Sequence, residues 1–156
     1  MVSWLYKGGK IKDIGNVNVI SHFGFIYKIT HIPTGRIYYG RKNFFTNRNI
    51  KLGKKELAIL REERKIKGMR GRVPSKKLVV KESDWLTYWG SNKPLLKQIK
   101  KEGEENFRRE ILEFANTKKH LTYLETELLF KNKVLFHPDK FYNDNILGKF
   151  YTKDFE

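Results

Sequence analysis

Residues 24–42, "GFIYKITHIPTGRIYYGRK", decide the fold. Apolar and aromatic residues alternate into the first half, so Phe23, Phe25, Tyr27 and Ile29 are expected on one face of a strand. "RIYYG" resumes the pattern after "HIPTG", where Pro33 supplies a fixed φ and Gly35 a permissive one. An antiparallel hairpin follows. It brings Tyr27, Tyr38 and Tyr39 into one small region and follows them at once with Arg41 and Lys42. Tyrosine is a favoured strand residue, so one reading is plain sheet packing. The other is a pair of phenols around a reacting centre.

Working outward, "KKELAILREERKIK" has good helix formers and a thin apolar stripe of Leu57, Leu60 and Ile66, and "GMRGRVPSKK" breaks it. Residues 51–82 therefore read as a basic insertion protruding from a core domain over 23–147, flexible when free. "KPLLKQIKKEG" predicts a short helix with Leu95, Leu96 and Ile99 inward, capped by Ser91 or Asn92, with Pro94 in its first turn and Gly103 as its stop. "NFRREILEF" predicts a third strand, and "KKHLTYLETELLFKN" a second core helix capped by Thr117. Pro138 and "YNDNILG" close the core. Residues 1–22 read as an N-terminal extension with a small strand pair packed by Trp4, Leu5 and Tyr6, and 148–156 as a C-terminal tail. The fold class is α+β: a small antiparallel β-sheet flanked by helices, with the basic insertion after the first hairpin.

A chain of 156 residues with 39% hydrophobic side chains fits one folded domain. With no cysteine, disulfides and thiolate metal sites are excluded, and the four histidines lack paired ligand spacing. No apolar run approaches the roughly 20 residues of a membrane span, and no signal-peptide core opens the chain. A cytoplasmic location is expected. Charge says more: 33 Lys and Arg face 17 acids, and residues 41–81 alone hold fifteen bases against three acids. Such a block attracts a phosphate backbone through counterion release, although a solvated loop can carry the same charge. Anionic membrane fits less well, because the helical part lacks a broad apolar face.

One acid stands out. On the predicted helix, at about 100° per residue from Leu121, Glu125 falls at about 40°, between Leu121 and Leu129 at about 80°. A carboxylate facing a core is costly unless it is paired or holds a cation. Both a buried ion pair with an arginine and a catalytic or metal-binding role remain open.

In order, the hairpin "GFIYKIT...GRIYYGRK", the strand "NFRREIL", the helix with a mid-face glutamate and the closing "YNDNI" resemble the GIY-YIG nucleases. "SDWLTYWGS" and "ILGKFY" are similar to segments of the small phage-encoded homing-type members. The resemblance implies that Tyr27 and Tyr38 are the tyrosines of the two family triplets, with Phe25 standing where glycine is usual and Tyr39 where isoleucine or valine is usual. It implies that Glu125 binds Mg²⁺ or Mn²⁺, that Arg48 (with Arg41 as a rival) braces the phosphate, and that Lys42 lies beside the attacking water. Tyr88 in "YWGS" and the late Asn143 complete the set.

The chemistry suits these types. Phosphodiester hydrolysis needs a cation, a fixed positive donor and a base, and a tyrosine must be tuned by neighbouring cations to act as that base. Double-stranded DNA is the expected partner, reached by Arg41, Lys51, Lys54, Lys55, Arg61, Arg64, Lys65, Lys67, Arg70, Arg72, Lys76 and Lys77, mostly through phosphates. The tail is too short for a separate DNA-binding module, so recognition is expected from the insertion, the N-terminal extension, a homodimer or another protein. A nucleic-acid binder without turnover and a nuclease for branched DNA are the alternatives.

Overall fold

The computed structural model describes residues 1–13, 15 and 22–156, which form two compact units. The first comprises Met1–Phe44 and Ser83–Glu156, and the second is Phe45–Glu82. In chain order the strands and helices are β1 (Trp4–Tyr6), β2 (Gly9–Ile11), β3 (Gly24–His31), β4 (Ile37–Asn43), β5 (Phe45–Lys51), α1 (Lys54–Ile66), β6 (Lys76–Glu82), α2 (Lys93–Glu102), β7 (Phe107–Ala115), α3 (Lys118–Lys131), β8 (Asn145–Ile146) and β9 (Phe150–Tyr151).

The first unit is built on a sheet of order β2-β1-β7-β3-β4, antiparallel except for the β1–β7 pair. The α+β class is as the sequence implies. The expected hairpin is β3–β4, with Tyr27 opposite Gly40 and Ile29 opposite Tyr38. Because β7 takes its other edge, β3 is an interior strand covered on both faces. Phe25, Tyr27 and Ile29 pack with Trp4, Trp85 and Leu95 on one face, while Ile26 packs with Leu121 and Leu124 of α3 on the other. Phe23 departs from the expected alternation: it lies before β3 begins and packs with the α3 cluster.

Residues 4–11 are not an appendage. Trp4 is fully buried, donates its indole N–H to the Trp85 carbonyl at 2.7 Å, and meets Phe25 edge-on at 5.2 Å. Burying that much aromatic surface fixes β1 against β7. Of the expected extension, residues 14 and 16–21 lie outside the described residues.

Local signals in the core hold. Asn92 accepts from the Leu95 N–H at 3.0 Å, Thr117 accepts from the His120 N–H at 3.1 Å, and Gly103 ends α2 with φ +94°. The segment that closes the core runs beside β4 through a parallel Ile37–Phe141 bridge, covering the edge that this strand would otherwise expose. The tail is structured as well, with the Phe155 ring tilted against that of Phe136 at 4.9 Å.

The insertion starts at Phe45 rather than 51, and two strands enclose its helix in sequence. β5 and β6 form a seven-residue antiparallel ribbon, from Phe45 opposite Glu82 to Lys51 opposite Lys76. The α1 stripe is weak: no residue of the helix is buried, and Ile66 is 78% exposed. An ion pair from Lys77 to Glu56 at 2.8 Å ties β6 to α1.

Candidate active site

In the first unit, Tyr27, Tyr38, Arg41, Tyr88, Ser91 and Glu125 line one cavity of about 720 Å³. Four elements converge on it. β3 and β4 supply the tyrosines and Arg41, the turn before α2 supplies Tyr88 and Ser91, and α3 supplies Glu125.

Two glycines make the room. A Cβ at Gly40 would lie 2.3 Å from the Tyr27 hydroxyl, and one at Gly90 would lie 2.9 Å from Tyr38 Cε1. Gly90 also has φ +88°, a conformation that disfavours any side chain. Tyr27 is fully buried, Tyr88 stands edge-on to it at 6.2 Å, and the less buried Tyr38 places its hydroxyl 3.5 Å from Ser91 Oγ.

Glu125 faces this space with a side chain only 19% exposed. Its nearest cation is Arg41, whose Nε stands 4.0 Å from Oε2, the outer limit of an ion pair, while Nη1 of Arg41 donates to the Thr122 hydroxyl. Burial raises the carboxyl's pKa and Arg41 lowers it in part. The acid is therefore approached by an arginine without being clamped by one. Among the described residues no group of three His, Cys, Asp or Glu is placed to share an ion. Glu125 and Asp144 are the carboxylates on the cavity wall, so an ion held at Glu125 would complete most of its shell with water and phosphate oxygens. That is an acceptable donor set for Mg²⁺, which keeps several waters and often binds through one or two carboxylates.

The phenols run against expectation. Neighbouring cations were to favour their ionised form, yet Tyr27 is raised by burial first and then by Tyr38, Tyr88 and Glu125. Tyr38 is also raised by burial, with the Ser91 hydrogen bond pulling it back. Lys42 does not help, because its Nζ pairs with Asp84 at 2.5 Å and sits 3.8 Å over the Tyr88 ring, spending its charge there.

Other expected site residues sort by position. Arg48 is on β5 in the second unit, whereas Arg41 lines the cavity, so the rival arginine is the one beside Glu125. Asn143 is buried and spends its amide on the backbone of Tyr39, accepting from its N–H at 2.9 Å and donating to its carbonyl at 2.8 Å. It positions β4, and its amide keeps a second N–H and a second Oδ1 lone pair on the wall of the cavity, which it also lines. Of the expected DNA-contacting bases on the second unit, Lys51, Lys54, Lys55, Arg61, Lys65, Lys67, Arg70, Arg72, Lys76 and Lys77 are exposed. Arg64 is partly buried and bonds the Arg70 carbonyl at 3.2 Å.

Sequence reasoning passed over Arg109. It is fully buried on β7 between Trp4 and Trp89, with its guanidinium 4.6 and 4.3 Å from their rings, and it donates to the Tyr88 carbonyl at 2.8 Å. Burial lowers its pKa to about 10. It anchors the turn that carries Tyr88, and its signal was a lone arginine on the apolar face Phe107–Arg109–Ile111.

The family model described as "Putative endonuclease segE, GIY-YIG domain" matches residues 4–146. The chain belongs to the GIY-YIG nuclease family. No curated protein and no solved structure matches it. The GIY-YIG match begins at Trp4, the residue that ties β1 into the core, and includes the whole second unit. Departure from the family triplet at Phe25 falls on a fully buried core residue and leaves the Tyr27 hydroxyl in the cavity.

Proposed function

We propose that this GIY-YIG chain is a Mg²⁺-dependent DNA endonuclease, of the free-standing homing type carried by phages. The observation that carries the reading is a mostly buried carboxylate, Glu125, sharing one cavity with Tyr27, Tyr38 and Arg41. A cavity that combines the carboxylates of Glu125 and Asp144 with an arginine and several hydroxyls is suited to a phosphodiester with a cation beside it.

Glu125 would hold Mg²⁺ or Mn²⁺, which supplies charge neutralisation at the phosphate and acidifies water. Arg41 braces a non-bridging oxygen with its planar donors. Tyr27, buried and held neutral, donates a hydrogen bond that fixes the attacking water. Tyr38 is the phenol nearer to ionisation, since Ser91 stabilises its oxyanion, and as phenolate it takes the proton of that water. The new bond forms between water oxygen and phosphorus. The phosphorus–sugar oxygen bond breaks, and the leaving oxygen is protonated from solvent.

Incubating supercoiled plasmid with the protein and Mg²⁺ or Mn²⁺, with EDTA in a parallel sample, tests this reading. Conversion to nicked or linear DNA only with the metal is expected. Binding without conversion in either metal would favour a non-catalytic DNA binder.

A further inference from the structure

We propose that the β5–β6 ribbon enters the major groove of duplex DNA and reads A·T base pairs through Asn47 and Asn49; this rests on DNA being the substrate. The ribbon's register sorts its residues onto two faces. Arg48–Val79 and Ile50–Lys77 share one, and Lys77 on that face is committed to Glu56 of α1. Asn47–Val80 and Asn49–Leu78 share the other, with Lys51–Lys76 at one end and Phe45–Glu82 at the other.

That second face is open. Leu78 is 61% and Val80 58% exposed, both asparagines are exposed, and neither asparagine amide has a hydrogen-bond partner among the described residues. Two aliphatic side chains bare to water beside two idle amides suit a surface that meets both polar and apolar groups. Base edges in the major groove are such a surface. Asparagine pairs with adenine N6 and N7, aliphatic groups contact the thymine methyl, and a two-stranded ribbon fits the groove width.

Charge selects nucleic acid over a protein partner. From Phe45 to Glu82 there are thirteen Lys or Arg and four acids, and Lys51 and Lys76 place two of the bases at one end of the reading face, within reach of a phosphate backbone. Spacing agrees: residues two apart on a strand are separated by about 6.8 Å, which is about two base-pair steps. The asparagines would therefore read adenines two steps apart.

The test is selection of bound duplexes from a random-sequence pool by the full chain in EDTA, which reads binding whether or not the protein cuts. Enrichment of A·T pairs two steps apart is expected. In Asn47→Ala/Asn49→Ala that enrichment disappears, and affinity for the selected duplex falls about tenfold or more while affinity for random duplex stays within about twofold. Replacing the selected adenines by 7-deazaadenine, which lacks the N7 acceptor, should weaken the unsubstituted protein by about tenfold and leave the double variant unaffected. No A·T enrichment, no duplex binding, or equal weakening on selected and random duplexes would overturn the proposal. Failure of plasmid cleavage with the selection intact would remove the nuclease reading alone.

Discussion

The hydroxyl of Tyr27 occupies the space that a side chain at Gly40 would need: a Cβ there would lie 2.3 Å from Oη and 2.5 Å from Cζ. The clash is with a fully buried ring. Gly40→Ala should therefore cost about 1–3 kcal/mol of stability, the range for overpacked cores, and lower cleavage by about 100-fold by moving the phenol. Thermal melting and plasmid nicking on the same preparation measure both. An alanine variant that cuts at the original rate would show that the Tyr27 position is not critical.

Arg41 and Arg48 separate in kinetics. Removing a transition-state donor lowers turnover, whereas removing a phosphate contact weakens binding and reduces the salt slope by about one. Arg41→Ala is expected to lose about 100-fold in kcat, and Arg48→Ala to raise KM with kcat within about threefold. Loss of kcat in the Arg48 variant instead would return the bracing role to the second unit.

Glu125 should weaken the fold it serves. Burial raises its pKa, so the folded state prefers the protonated acid. That preference stabilises fully below the unfolded pKa and is lost as pH rises through the raised folded value, so near pH 7 the ionised group is a liability. Glu125→Gln, a permanent mimic of the neutral acid, is predicted to melt about 2–4 °C higher at pH 7 without metal. The advantage should shrink as pH falls through the carboxyl's own titration. A lower melting temperature at pH 7 would mean that the Arg41 contact outweighs desolvation.

Tyr38 sets the expected pH profile. Its pKa lies above the ordinary 10.0, so a phenolate base is scarce at neutrality and becomes more abundant with each step upward. Cleavage should climb by about tenfold per pH unit from 7 to 9 without a plateau, and Tyr38→Phe should flatten the slope. A plateau below pH 8 in the native protein would point to a different base.

Much of the first unit was legible because its signals are local. Asn92 and Thr117 cap where capping residues are read, Gly103 stops α2, and the Pro33–Gly35 turn closes the β3–β4 hairpin. Glu125 was legible from the helix wheel, since period alone places it among Leu121, Leu124 and Leu129. What long-range pairing decides was hidden. Trp4 reads as packing a strand pair within an N-terminal extension until β1 meets β7, more than a hundred residues away, and the β5–β6 ribbon is hidden because its strands flank a helix some 25 residues apart in sequence. Counting eight residues past Gly40 reaches Arg48, but the cavity is lined by Arg41, the next residue along β4. The sign of the tyrosine shifts also needed coordinates: Lys42 is adjacent in sequence yet engaged by Asp84, and burial dominates both phenols.

Single-turnover cleavage of saturated plasmid DNA by native protein and by Glu125→Ala, with binding measured in the same Mg²⁺ buffer, tests the Glu125–tyrosine site most directly. The variant is predicted to bind within about threefold of the native protein and to cut at least about 1,000-fold more slowly. Cutting at the native rate without that carboxylate would contradict the account.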